Sequence, residues 1–232
     1  FEFILNARLA DSLLFWNEDR KHSLEEMAQH LESVTFHEKL GSMWKKTSRV
    51  MQMVKPLAHW WGLSASETDH LLQAAKLAKV DLVSTMVKEF PTLQGIIGNY
   101  YARAAGEPEP VATAIEEHYL PLGGKRPQTL IGSALSILDK YDTLASYFTI
   151  GIEPTGDQDP FGLRRAAQGI VETAWAMKRP LRFEHLFVAW QPTASFAQGK
   201  ADVAVRVRDY LLERLYTFEW PSPPPSSDLI DA

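Results

Sequence analysis

Helix-start signals recur along this chain, and apolar residues follow them at helical spacing. Ser23-Leu-Glu-Glu26 forms a capping-box pattern, in which the serine and the glutamate side chains each accept a backbone N–H of the first turn. Ser66-Glu-Thr-Asp69 gives a similar acidic start, and Pro110 and Pro160 suit the first turns of two further helices. No run shows the strict two-residue alternation, bounded by turn signals, that predicts hairpins. The pattern therefore predicts an all-α chain of about nine or ten helices.

Composition narrows the chemistry and the partners. The 232 residues carry a net charge of −5 and include no cysteine. This excludes disulfides, thiol catalysis and cysteine-ligated zinc, and it fits a reducing compartment. A basic footprint over the whole domain is absent, so we expect no DNA partner, and RNA would be contacted through local patches. No apolar run approaches the roughly 18 residues of a membrane span, so we expect no membrane association.

The ends of the sequence suggest a piece of a longer polypeptide. Phe1 already lies in an apolar-periodic run, and residues 228–232 resemble the first turn of a helix. The proline- and serine-rich segment from Trp220 to Ser227 predicts a stiff, extended linker. We expect a helical domain over residues 1–190, a trailing helical segment over 191–219, and the linker with the start of a truncated helix over 220–232.

Three acids lie inside runs that otherwise resemble buried helix: Asp81, Asp139 and Asp142. Charged carboxylates rarely occupy such positions unless a partner compensates them. The acids therefore bind a metal, form ion pairs with lysine or arginine, or descend from a metal site. Asp139 and Asp142 are three residues apart and share one helix face.

The arrangement is similar to that of the HD superfamily of metal-dependent phosphohydrolases. That superfamily uses a His, an adjacent His-Asp pair and a distant Asp, all on helices. Here His37 comes first, Val80-Asp81 stands where the pair would be, and Asp139 or Asp142 follows. Valine has no lone pair to donate, so the resemblance implies a vestigial, HD-like helical bundle that binds no metal. A working metal-dependent phosphohydrolase is the alternative.

Two basic clusters are candidates for contacts with RNA phosphates. Lys45, Lys46 and Arg49 lie in a stretch without acids, next to Trp44, and Arg164-Arg165 follow the helix start at Pro160. Basic side chains near aromatic rings suit an RNA backbone and exposed bases, and a helix N-terminus favours anions. The alternatives are a solvated helix face for the first cluster and pairing with nearby acids for the second.

Longer blocks of sequence resemble the β subunit of bacterial-type glycyl-tRNA synthetase. The blocks include LAKVDLVSTMVKEFPTLQGIIGNYYA, LSILDKYDTLASYF and IGIEPTGDQDPFGLRRAAQGI. The resemblance implies an enzyme of two α and two β chains, in which the α subunit binds ATP and magnesium and makes the adenylate. The chain would be the HD-like middle of the β subunit, with C-terminal helices that lead to a linker.

This resemblance implies a role without chemistry of its own. We expect the chain to contribute to recognition and positioning of tRNA(Gly) and to α–β assembly in the cytoplasm, with no catalytic residue and no cofactor in this region. A purely structural spacer is a further alternative.

Overall fold

The computed structural model describes residues 2–154, 159–191 and 202–217. The all-α prediction is confirmed, since these residues form eleven α-helices and a single two-stranded ribbon. The predicted linker at 220–232 lies outside the described residues, and the HD-like assignment and the domain boundaries stay predictions. The helices are α1 (Glu2–Asp19), α2 (Leu24–His30), α3 (Met43–Trp61), α4 (Ala65–Leu77), α5 (Thr85–Glu89), α6 (Ile96–Ala104), α7 (Glu109–Glu117), α8 (Leu130–Thr149), α9 (Leu163–Met177), α10 (Phe183–Trp190) and α11 (Asp202–Thr217).

The capping box at the start of α2 is confirmed. Ser23 N donates to Glu26 Oε2 at 2.8 Å, and Glu26 N donates to Ser23 Oγ at 3.2 Å. The start of α4 was predicted two residues late, because the box is formed by Ser64 and Glu67 rather than by Ser66 and Asp69.

Apolar residues continue at helical spacing to Met86, but α4 ends at Leu77. A 3₁₀ turn, Val80–Val83, follows α4, and a separate short helix, α5, begins after Ser84. The carboxylate of Asp19, at the end of α1, accepts the N–H groups of Thr85 and Met86 at 2.8 and 3.0 Å. This cap comes from a distant part of the chain and fixes a new helix start.

Helix α8 is the central element of the fold. It is buried on nearly all sides and packs against α3, α4, α7, α9 and α11, as expected of a helix in the middle of a core. Leu135, Leu138, Tyr141 and Leu144 are fully or almost fully buried. The charged residues that α8 carries therefore enter the core with it.

A small ribbon precedes α3, and a tight turn precedes α9. Strand β1 (Thr35–His37) pairs antiparallel with β2 (Gly41–Ser42), and His37 lies opposite Gly41. The side chain of Lys45, in the first turn of α3, packs against Gly41 of β2, where an added Cβ would lie 2.7 Å from Lys45 Cδ. Helix α9 begins at Leu163, three residues after the predicted start at Pro160.

None of the helices in the described part of the chain is long and apolar enough to cross a membrane.

Candidate functional site

Asp142 lies at the centre of a buried ion network where α3, α8 and α10 meet. Its side chain is fully buried. Arg49 binds both carboxylate oxygens, with Nε 2.6 Å from Oδ1 and Nη2 3.1 Å from Oδ2. Trp190 Nε1 donates to Oδ1 at 2.7 Å, and Lys46 Nζ lies 3.2 Å from Oδ2. Such short, charge-assisted bonds are what a buried carboxylate requires.

Asp139 lies one helical turn before Asp142 and lies between two ammonium groups. Lys46 Nζ is 3.2 Å from Oδ1, and Lys79 Nζ is 3.3 Å from Oδ2. Lys46 also donates to the backbone oxygen of Asp139 at 2.8 Å and to Thr143 Oγ1 at 2.9 Å. Burial alone would raise the pKa of Asp139, but the charges of Lys46 and Lys79 outweigh it and hold that pKa well below its usual range.

His118 extends the network beyond Lys79. Lys79 Nζ lies 2.7 Å from His118 Nε2, and His118 Nδ1 lies 2.6 Å from the backbone oxygen of Ile115. We therefore assign the neutral ring with its proton on Nδ1, so that Nε2 accepts from Lys79. Burial and the Lys79 charge lower the pKa of His118 well below its ordinary value, which agrees with this assignment. Burial also lowers the pKa of Lys79, against the attraction of Asp139.

Asp81 is buried, but its hydrogen bonds lie outside this network. Its Oδ2 accepts the N–H of Gly95 at 2.6 Å, while Oδ1 has no hydrogen-bond partner. Burial raises its pKa to about 6, despite the opposing Gly95 hydrogen bond and the Lys79 charge. His37 lies elsewhere, with its ring against Tyr147 and Phe161.

These residues do not fit the metal centre that a working HD-type phosphohydrolase, the alternative reading, would need. His37 and Asp81 do not join Asp139 and Asp142, and the imidazole in the network is that of His118. The carboxylates that a cation would need already bind the ammonium groups of Lys46 and Lys79. Among the described residues, no group of three or more His, Asp or Glu side chains is placed to hold a metal ion.

Replacing Asp81 with asparagine is expected to stabilise the chain at neutral pH. Because the folded-state pKa of Asp81 is raised, the stability contributed by its protonated form is present below pH 3.8 and is lost as the pH rises through about 6. An uncharged asparagine removes this loss, so we expect a gain of about 1–2 kcal/mol at neutral pH and almost none near pH 4. Urea unfolding at both pH values measures the difference.

The control for this prediction is Asp11→Asn, which changes an exposed acid on α1. We expect it to alter stability by less than about 0.5 kcal/mol at either pH. A loss of stability in Asp81→Asn that is equal at both pH values would contradict the raised pKa.

The residues predicted to contact RNA occupy different environments. Lys46 and Arg49 are only 3% and 2% exposed, and their charged groups bind acids of the core. This environment gives them a structural role, and they are not retained as phosphate ligands. Lys45 and Arg165 are exposed. Arg164 is half-buried, and the carboxylate oxygens of Asp159 accept the N–H groups of Leu163 and Arg164 at 2.6 and 3.0 Å, so an acid already caps α9.

A series of contacts through the ribbon runs from Lys45 to Arg165. Lys45 lies against Gly41, which pairs with His37. The His37 ring contacts that of Phe161 with centroids 5.9 Å apart. Arg165 lies against Gly162, the residue after Phe161. Lys45 and Arg165 therefore border one surface, with His37 and the exposed ring of Phe161 between them.

Three members of the buried network were not predicted from the sequence: Lys79, His118 and Trp190. Lys79 directly precedes the Val80-Asp81 pair that was considered as a metal motif. A basic residue next to a candidate acid was an available signal. His118 and Trp190 carried no comparable local signal, because helix packing brings them to Asp139 and Asp142.

Comparison with known proteins agrees with the sequence blocks. A family model described as "Glycyl-tRNA synthetase beta subunit" matches residues 1–229. "Glycine--tRNA ligase beta subunit" of Trichodesmium erythraeum is 43% identical over 93% of this chain, and that of Halothermothrix orenii is 44% identical over 93%. The Streptococcus thermophilus protein is 48% identical over 73% of the chain.

The matches identify an aminoacyl-tRNA synthetase subunit. The chain belongs to the family of glycyl-tRNA synthetase β subunits, and the resemblance is confirmed. It spans 31%, 32% and 25% of the length of these three relatives, so it corresponds to one region of a longer β subunit.

Proposed function

We propose that this chain positions tRNA(Gly) in a glycine–tRNA ligase and contributes to assembly with the α subunit, without a catalytic site of its own. In this proposal the α subunit binds ATP and magnesium and carries out the chemistry. The enzyme acts in the cytoplasm, where tRNA is charged. Family membership supports a role in a glycine–tRNA ligase, and the geometry of the acids supports the absence of a catalytic site in this chain.

The observation that carries the non-catalytic role is the internal pairing of Asp139 and Asp142. General acid–base or metal chemistry requires carboxylates that can reach a substrate. Here both carboxylates bind lysine or arginine side chains inside the core. The network therefore connects α3, α8 and α10 and holds the surface elements in place.

The surface bordered by Lys45 and Arg165 is the candidate contact for RNA. Its aromatic centre is formed by His37 and Phe161, the latter 41% exposed. Lysine and arginine at its edges suit phosphate oxygens, and exposed rings suit unpaired bases. Arg164 precedes Arg165 in the sequence and belongs to the same predicted basic cluster.

A double variant with glutamine in place of both Lys45 and Arg165 is expected to bind tRNA(Gly) about tenfold more weakly. Each lost phosphate contact should also lower the slope of log affinity against log salt by about 1, so the slope should fall by about 2. Titration of tRNA(Gly) into the complete subunit assembled with the α subunit, at several salt concentrations, measures both effects.

A matched control removes two charges elsewhere, with Lys55→Gln and Lys88→Gln, both exposed lysines. We expect this variant to keep the wild-type affinity and slope. If the Lys45/Arg165 variant behaves in the same way, the surface does not bind RNA. Retained assembly with the α subunit in that case would favour the spacer alternative.

A further inference from the structure

A groove opens beside the ribbon, between the ribbon and the first turns of α3. It has a volume of about 590 Å³, in the range of sites that take a ligand of nucleotide size. Its lining combines an aromatic ring, two lysines and two acids: Trp44, Lys39, Lys45, Glu32 and Glu38. This mixture differs from an apolar cleft and from a purely basic phosphate track.

Trp44 supplies the one flat surface in the lining. It is half-buried, with part of the side chain packed against the core, so the ring is held in place before any ligand arrives. A fixed, partly exposed indole offers a stacking surface for a base of any identity. The energetic cost of ordering the ring on binding is therefore small.

The groove carries cations that can bind phosphates and carboxylates that can accept from bases. Lys39 and Lys45 are exposed, and neither forms an ion pair with any residue that the structure describes. Glu32 and Glu38 are both exposed, and Glu32 Oε2 accepts the hydroxyl of Ser42 at 2.9 Å. Carboxylates repel a phosphodiester but accept hydrogen bonds from the amino groups of bases.

We propose that this groove binds one unpaired nucleotide of RNA, with its base stacked on Trp44 and the flanking phosphates at Lys39 and Lys45. The proposal rests on the RNA-binding function proposed above and names the structural class of RNA that the surface takes. A paired base cannot reach the ring, because both of its faces are covered within a duplex. An acidic peptide is disfavoured by the two glutamates.

The test compares a single-stranded RNA of about 12 nucleotides with its blunt duplex, both titrated into the complete subunit. Trp44→Leu keeps an apolar side chain for packing but removes the stacking surface. We expect it to weaken single-strand binding about tenfold or more and to change duplex binding less than about twofold. Trp44→Phe should retain most of the affinity, which excludes loss of folding as the cause.

Tyr100→Leu is the matched control, since it removes an exposed ring from α6, outside the groove. Unchanged single-strand binding in Trp44→Leu, or an equal loss in Tyr100→Leu, would overturn the proposal. Loss of α-subunit binding in Trp44→Leu with RNA binding intact would also overturn it and assign the groove to protein. If Trp44→Leu has no effect while the Lys45/Arg165 variant weakens tRNA binding, only the groove proposal fails. If the wild type binds no RNA, both proposals fail.

Discussion

Replacing Asp142 with asparagine is expected to destabilise the fold by about 3–5 kcal/mol. The asparagine oxygen could still accept from Trp190, but its NH₂ group would face the donors of Arg49 and Lys46. Arg49 would then have lost this carboxylate and Lys46 one of its two, and the new NH₂ group would face their donors. Urea unfolding of the chain at neutral pH measures the loss of free energy.

Two variants test whether the lost charge is the cause. Asp69→Asn removes an exposed acid from α4, and we expect a change below about 0.5 kcal/mol. Arg49→Met combined with Asp142→Leu removes cation and anion together, and it should lose much less stability than the sum of the two single changes. Simple additivity would show that the pair is not coupled.

Local signals were sufficient for helices whose ends are capped by neighbouring residues. Helix α2 begins at Leu24, directly after the predicted cap Ser23. The start of α5 combines a local cap with a distant one. Ser84 Oγ accepts the N–H of Val87 at 3.1 Å from the adjacent position. The carboxylate of Asp19, more than sixty residues earlier, caps the same turn only because α1 packs there, and this second cap was not predictable.

The buried network was half predictable. The cost of burying a charged carboxylate correctly predicted that Asp139 and Asp142 have partners. It did not indicate which lysine or arginine residues these partners are. Lys46 and Arg49 were predicted to contact RNA because they lie in a basic stretch without acids next to Trp44, a pattern that does not show which helix face each residue occupies.

The periodicity of α3 distinguishes the two faces. Val50, Met53 and Leu57 are buried and mark the inward stripe. Lys46 and Arg49 lie on that stripe, whereas Lys45 lies off it. Comparing the position of each basic residue with the apolar stripe of its helix therefore separates buried structural cations from surface cations. The clustering of basic residues in the sequence does not separate them.

Replacing Lys79 with methionine is expected to destabilise the fold by about 3 kcal/mol at neutral pH. The methionine fills a similar volume, so the loss comes from the missing ammonium between Asp139 and His118. Asp139 would keep Lys46 as its partner, which limits the effect relative to Asp142→Asn. Urea unfolding near pH 7 and near pH 4 gives the loss and its pH dependence.

The sign of that pH dependence separates a charge effect from a packing effect. In the wild type the lowered pKa of Asp139 contributes stability above its unfolded value of 3.8, and this contribution is lost as the pH falls through the folded pKa. Without Lys79 the folded pKa of Asp139 rises, so protonation as the pH falls towards 4 relieves the charge that Lys46 alone compensates less fully. The difference between variant and wild type should therefore shrink from pH 7 to pH 4. A difference that stays constant would mean that Lys79 acts through packing alone. The ammonium groups would then not neutralise these acids in the way that a metal cation would in such a cluster.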